Sequence, residues 1–231
     1  MSRNKKIAVL ISGGLDSSIL VHNLLKKRWT VQPIYIQQGH VWERAELAWL
    51  KQFLKAIGSP QLKPLVLLSL PTQDLYQTHW SVTGEKTPGA QSHDKKVYLP
   101  GKNILLTAKA SVFCALKKIP VLALAPLKTN PFPDASPSFF NSMGKICSKG
   151  LNYKLKIDTP FLKLSKKEVM KRGRALPLHL TFSCLNPHPP LSLRERDRVR
   201  GYIHCGRCNK CTERKRAFRN SGIIDKTCYA R

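Results

Sequence analysis

Two groups of residues in this chain have types and spacings that do chemistry. Cys205-Gly-Arg-Cys208-Asn-Lys-Cys211 places three thiols with two residues between each pair, which brings them round one tight turn onto a common centre. Cys184, in Thr181-Phe182-Ser183-Cys184, is the natural fourth. Four thiolates in a closed set form a structural zinc site. The basic neighbours Arg207, Lys210 and Arg214 favour thiolate and offset the negative charge of such a centre. An iron–sulfur cluster is the competing reading, because the same spacing opens the bacterial ferredoxin pattern. That pattern continues with another Cys and a Pro, whereas Arg214 and Lys215 stand here.

The second group is Ser12-Gly13-Gly14-Leu15-Asp16-Ser17, between an apolar run at 7–11 and a helical pattern. Adjacent glycines let the backbone turn tightly and approach an anion. The amides that open the following helix present the positive end of its dipole, and Ser12, Ser17 and Ser18 add hydroxyls. Such a loop holds a polyphosphate without a lysine. Neither the P-loop pattern nor Gly-x-Gly-x-x-Gly is present. Asp16 fits among phosphates only with Mg2+ or an ordered hydroxyl network between them, so its role is a supporting one.

These groups need a scaffold. Residues 7–11, 31–36, 64–70 and 121–127 read as short buried parallel strands, with helical patterns over 15–27, 42–57 and 103–117 between them. In the second helix Trp42, Ala45, Trp49, Phe53 and Ala56 recur every three or four residues, which makes the tryptophans core residues. This alternation predicts an α/β fold with a Rossmann-like, doubly wound parallel sheet. Ligands then bind outside the carboxyl ends of the strands, at loops 12–16, 37–41, 71–101 and 128–137. The third of these, about thirty residues long, is functional or disordered by its length. A later strand over 154–159 precedes a helix opening at Ser165, where Glu168 completes a capping box. Beyond it the pattern dissolves into 185–202, whose basic run at 194–200 reads as a solvated helix face or an RNA contact.

The 231 residues carry 40 Lys and Arg against 13 Asp and Glu, a net charge of +27. That field favours nucleotides, a carboxylate substrate or RNA, and compositional bias accounts for it equally well. A hydrophobic content of 42% fits one sizeable core. No stretch approaches the roughly 20 apolar residues of a membrane span, and 7–11 is too short for a signal-peptide core; a cytoplasmic location is expected. Seven cysteines without a secretory signal argue against a disulfide scaffold. Cys114, Cys147 and Cys228 read as packing or incidental thiols.

The loop SGGLDS, directly after a first strand and opening a helix, resembles the pyrophosphate loop of the N-type ATP pyrophosphatases. These enzymes cleave ATP between the α and β phosphates and pass AMP to a substrate oxygen. LPGKN (99–103), NPFPD (130–134), TPFLKLSKKEV (159–169), TFSC (181–184), CGRCNKCTERKRAF (205–218) and GIIDKTCY (222–229) extend the likeness over nearly the whole chain. Together they resemble the 7-cyano-7-deazaguanine synthase family of queuosine biosynthesis.

The resemblance implies a pyrophosphate-loop ATP-binding α/β domain at 1–180 and a C-terminal zinc-binding extension at 181–231. It implies an ATP-dependent carbon–nitrogen ligase that converts 7-carboxy-7-deazaguanine and ammonia to the nitrile through an adenylate and an amide, with ATP, Mg2+ and Zn2+. Ser12, Gly13, Gly14, Leu15, Asp16 and Ser17 would hold pyrophosphate, and Cys184, Cys205, Cys208 and Cys211 the zinc. Asp16, Lys102 and Asp134 would be catalytic. Lys102 stands where the family has arginine, keeping the charge but losing the bidentate fork; it would meet phosphate or the substrate carboxylate. Asp134 would face Mg2+ or the purine-like ring. Lys166 falls on a family lysine and meets phosphate or is a solvated helix start.

Departures lie near the substrate side. Gln37-Gln38-Gly39-His40-Val41-Trp42 replaces the family's Tyr-Gly-Gln-Arg-His, so those roles are not carried over, and Ala135 and Ser136 stand where an arginine often follows the Asp. Expected partners are a small-molecule deazapurine and ammonia, with no membrane; the charge admits tRNA or non-specific nucleic acid, and a homodimer is left open. The rival functions are an adenylating enzyme acting on tRNA, one joining a deazaguanine acid to another amine, and a binding module that has lost catalysis.

Overall fold

The computed structural model describes residues 5–189 and 201–230. Strands β1 (Lys6–Leu10), β2 (Thr30–Gln37), β3 (Val66–Ser69), β4 (Val121–Ala123) and β5 (Lys156–Asp158) form one sheet in the order β3-β2-β1-β4-β5. Every pairing is parallel, with Ile7 opposite Val31 and Ala8 opposite Leu122. The helices are α1 (Leu15–Lys26), α2 (Glu43–Ala56), the one-turn α3 (Gln73–Tyr76) and α4 (Trp80–Thr83), α5 (Lys102–Leu116), α6 (Pro137–Gly150), α7 (Lys166–Arg172) and α8 (Asn209–Ser221).

Side chains alternate across the sheet. Ile7 and Val9 of β1 and Val31 and Tyr35 of β2 enter one core with α1, α7, α8 and Leu50 of α2. Ala8, Leu10, Ile34 and Ile36 enter another with α5 and α6. Both faces are therefore covered, as expected of a doubly wound sheet. A third cluster gathers Trp42, the N-cap of α2, and Ala45 and Trp49 of α2 with Phe182 and the four cysteines. Close approach also fixes α7 against α1: a Cβ on Gly173 would lie 2.5 Å from Ile19 Cγ1. Because β1 lies between β2 and β4, the chain order reverses there, and a crevice opens at the carboxyl ends of the strands.

Most elements lie within a residue or two of their expected places, and the capping box at Ser165 and Glu168 is present. Trp42 and Trp49 are buried as expected, but Ala56 is exposed. The fourth strand, expected to 127, ends at Ala123. Leu124 N still donates to Asp158 O at 3.0 Å, after which Pro126 has no amide to continue the ladder. Loop 71–101 contains α3, α4 and a 3-10 turn at Asp94–Val97. Besides these one-turn helices, two longer helices were not anticipated. α6 opens on Ser136, whose Oγ accepts from Phe139 N at 3.2 Å, with Pro137 in the first turn. α8 begins inside the cysteine run, with Cys208 as its N-cap. The basic run at 194–200 lies outside the described residues. No helix among the described residues is long and apolar enough to cross a membrane.

Candidate active site

A cavity of about 400 Å3 lies at the carboxyl ends of the strands. At one end is the loop after β1. Gly13 has φ 73°, a left-handed conformation that favours glycine, and a Cβ there would sit 3.3 Å from Leu50 Cβ. Gly14 then caps α1 with no side-chain hydrogen bond, leaving the first amides of the helix open to an anion. Ser12 N donates to Ser17 Oγ at 3.2 Å, and the two hydroxyls are 3.2 Å apart. Ser12, Gly14, Leu15, Asp16 and Ser17 line the cavity, whereas Gly13 lies behind them against α2.

A chain of alternating charges braces this loop. Lys166 Nζ, at the start of α7, donates to Asp16 Oδ2 at 2.7 Å and lies 3.4 Å from Glu213 Oε1 on α8. Glu213 Oε2 in turn accepts from Lys210 Nζ at 2.6 Å. Burial opposes the charge on Lys166, but Asp16 and Glu213 outweigh it and hold its pKa above the ordinary value. Burial likewise works against Glu213, yet the two lysines bring it down to about 2. Lys166 is thus a braced cation rather than a solvated helix start. Asp16 Oδ1 is buried without a hydrogen-bond partner among the described residues, open to a cation or a donor.

Another part of the lining is aromatic. His40, in the loop after β2, stacks on Trp42 at 4.6 Å, and Trp42 on Trp80 at 5.6 Å. Tyr98 stacks on Phe132 at 4.8 Å. Glu43, in the first turn of α2, accepts from Gln38 N at 2.5 Å and Gly39 N at 2.9 Å and so clamps this loop. Desolvation, with Lys102 and His79 nearby, lowers the His40 pKa to about 3, so the ring is neutral. Lys102 opens α5, its Nζ 5.8 Å from the Trp42 ring centroid. Burial lowers its pKa against the pull of Glu46 and Glu43. Glu46 Oε2 accepts from Tyr35 Oη at 2.7 Å, and burial raises the Glu46 pKa to about 8. Asp134 Oδ2 accepts from Asn103 N at 3.0 Å at the start of α5.

The sequence-derived residues Asp16, Lys102 and Asp134 therefore share one cavity. With them are Gln38, His40, Glu43, Glu46 and Glu213, which had no role in the sequence reading; the position of Gln38 and His40 in the loop after β2 was the available signal. Five acidic residues (Asp16, Glu43, Glu46, Asp134, Glu213) and four basic ones (Lys102, Lys166, Lys210, Arg214) line the cavity. Near balance here means that the net +27 resides elsewhere on the chain.

The four sulfurs of Cys184, Cys205, Cys208 and Cys211 all lie within 4.8 Å of one another and are buried. Those of Cys184 and Cys208 are 4.0 Å apart, and those of Cys205 and Cys211 3.9 Å. Tetrahedral coordination at about 2.3 Å from metal to sulfur puts the sulfurs roughly 3.8 Å apart, so the set fits a single ion. Backbone amides supply the donors: Cys205 N to Cys184 Sγ at 3.2 Å, Cys208 N to Cys205 Sγ at 3.3 Å and Leu185 N to Cys208 Sγ at 3.5 Å.

Of the three basic side chains expected to offset the thiolates, Arg214 interacts electrostatically with Cys211, whereas the other two are placed differently. Arg207 is exposed and Lys210 is bound to Glu213. Arg214, 1% exposed, donates to Leu178 O at 2.7 Å, Thr181 Oγ1 at 2.8 Å and Thr227 Oγ1 at 2.9 Å. Phe182 N donates to Gly13 O at 2.8 Å, so only Ser183 separates Cys184 from a residue bonded directly to the loop after β1. Cys114, Cys147 and Cys228 stand apart from the sulfur set.

The model of the family described as "Queuosine biosynthesis protein QueC" matches residues 6–222. A 7-cyano-7-deazaguanine synthase of Leptospira interrogans is 28% identical, the match covering 97% of this chain and 91% of that protein. One of Methanocaldococcus jannaschii is 24% identical, covering 97% and 99%. A solved 4-thiouridine synthetase–RNA complex with bound ATP overlaps with a TM-score of 0.48 at 10% identity, covering 96% of this chain and 52% of that one. At that score the likeness carries no argument.

Two outcomes follow from this geometry. The native state binds the Glu46 proton more tightly than the unfolded chain, so its contribution to stability is full below 4.5 and is lost as pH rises through about 8. Glu46→Gln, which keeps an acceptor for Tyr35, should gain stability relative to the parent chain between about pH 5 and pH 8 in denaturant midpoints; a difference constant with pH contradicts it. Cys208→Ser should lose bound metal and folded structure together, read by metal analysis and circular dichroism. A folded, metal-free protein would show that the sulfur set is not structural.

Proposed function

This chain belongs to the queuosine biosynthesis protein QueC family, and from that membership we propose that it is an ATP-dependent carbon–nitrogen ligase converting 7-carboxy-7-deazaguanine and ammonia to 7-cyano-7-deazaguanine. The observation that carries the proposal is the shared cavity: an open α1 N-terminus, Lys102 beside the Trp42 ring and several further aromatic rings line one space. In this reading the one space holds both a phosphate site and a site for a flat, negatively charged substrate.

The chemistry follows from the weakness of a carboxylate as an electrophile. One carboxylate oxygen attacks the α phosphorus of ATP, and the bond to the bridging α–β oxygen breaks. Pyrophosphate leaves onto the α1 amides and the Ser12 and Ser17 hydroxyls. Ammonia adds to the carbonyl carbon of the mixed anhydride, AMP departs with the first carboxylate oxygen, and an amide remains after proton loss. The amide oxygen attacks a second ATP in the same way. Loss of AMP with that oxygen, and of the two nitrogen-bound protons, leaves the nitrile. One loop serves both activations, and Lys102 offsets the charge of the carboxylate before the first.

Asp16 Oδ1 is the open carboxylate oxygen on the loop and fits Mg2+, which when bound neutralises the phosphates. Lys166 holds the other oxygen and orients the group. Cys184, Cys205, Cys208 and Cys211 would hold Zn2+ as a structural ion. In this reading residues 1–180 form the ATP-binding unit and 181–231 the zinc-binding extension.

The test is mass spectrometry of the purified protein incubated with Mg-ATP, ammonium and 7-carboxy-7-deazaguanine. Amide, nitrile and AMP are expected, and Asp16→Ala should retain fold and metal while product formation falls to background. No product, with ATP cleaved only on adding tRNA or another amine, would overturn the proposal in favour of a relative with a changed acceptor.

A further inference from the structure

Three side chains in the cavity are more than nine-tenths buried and each carries polar atoms without a hydrogen-bond partner among the described residues. Gln38, 2% exposed, leaves Nε2 open; His40, 6% exposed, leaves both ring nitrogens open; Asp134, 5% exposed, leaves Oδ1 open. An unmet buried polar group costs about 1–3 kcal/mol. Three such groups lining one cavity, from the loops after β2 and β4, are a site short of its ligand.

The surroundings describe that ligand. The His40–Trp42–Trp80 and Tyr98–Phe132 stacks line the same space, which suits a flat ring system. The open atoms are of mixed kind. Asp134 Oδ1 accepts only, Gln38 Nε2 donates only, and neutral His40 donates from one nitrogen and accepts at the other. They are also held in place: Glu43 clamps the backbone at Gln38 and Gly39, and Asn103 N and Nδ2 both bond Asp134.

We propose that Gln38, His40 and Asp134 read the amino-lactam edge of a planar purine-like substrate. Asp134 Oδ1 accepts from its ring N–H or exocyclic amine, Gln38 Nε2 donates to its ring carbonyl, and His40 completes the set. An adenine edge offers a ring-nitrogen acceptor beside its amine, which a carboxylate opposes. Leu10, Ile36, Leu106 and Leu124 form an apolar stretch of the cavity wall, and this is the place left for the base of ATP. The inference rests on the ligase reading and adds the residues that select its substrate.

Isothermal titration without ATP tests it, using 7-carboxy-7-deazaguanine and the analogue that lacks the exocyclic amine. The parent chain should bind the acid at least ~10-fold more tightly than the analogue. Asp134→Asn keeps one oxygen for the Asn103 amide but presents an NH2 where Oδ1 was open. It should lose ~10–100-fold for the acid and most of the preference over the analogue, with ATP affinity within about twofold. His40→Phe, which keeps a ring on Trp42, should lose ~10-fold for the acid, and Gln38→Ala a similar factor. Circular dichroism and metal content establish that each variant is folded. Undiminished affinity and preference in folded Asp134→Asn would overturn the proposal, as would a loss confined to ATP, which would place adenine at this end. A parent chain that binds neither acid nor analogue would sink the ligase reading itself, a result distinguishable from failure of the variants alone.

Discussion

The structure depends on the convergence of four sulfur atoms. Cys184 and the 205–211 run are distant in sequence, yet their thiols lie within 4.8 Å of one another, buried and supported by backbone amides. The set has the spacing to hold one cation at its centre, and several elements are attached to it. Phe182, two residues before Cys184, bonds the carbonyl of Gly13. α8, which starts inside the sulfur set, carries Glu213 to Lys166 and so to Asp16. It also carries Arg214, which ties 178–183 to Thr227. The phosphate loop is held from β1 and α1 on one side and from the sulfur set on the other.

The same distances explain what the sequence could show. Strands and helices near the amino end were legible because period-two and period-three-to-four patterns are local. The cysteine group was legible because few other roles suit that spacing. The brace between Asp16 and Lys166 spans 150 residues and follows from the fold rather than from any local pattern. Periodicity placed Trp42 in the core, and it is buried, but its stacking on His40 and Trp80 depends on where loop 71–101 returns. α6 begins with Ser136 and Pro137, and its Phe140, Met143 and Cys147 recur at helical spacing, so its signal was present in the sequence and went unread. In α8 the cysteine spacing obscured the helix that starts inside it.

Charge is distributed by function rather than by composition. A chain with forty basic residues brings five of its thirteen acidic ones to the wall of one cavity. Some are braced by cations, some clamp backbone amides, and Glu46 holds its proton to about pH 8. The open polar atoms of Gln38, His40 and Asp134 cost stability in the free protein and are tolerated where a ligand will satisfy them. The proposed phosphate site, by contrast, rests mainly on backbone amides and glycine conformation, which is why its signature reads directly from six consecutive residues.

That the chain activates a carboxylate by adenylation is tested most directly with 7-carboxy-7-deazaguanine labelled with 18O in both carboxyl oxygens. Adenylation sends each oxygen out on the α phosphorus, so the label should appear in AMP, one atom for each oxygen removed, with none in pyrophosphate or orthophosphate. Label in orthophosphate would mean that the γ phosphoryl group is transferred, and would contradict a loop built to release pyrophosphate.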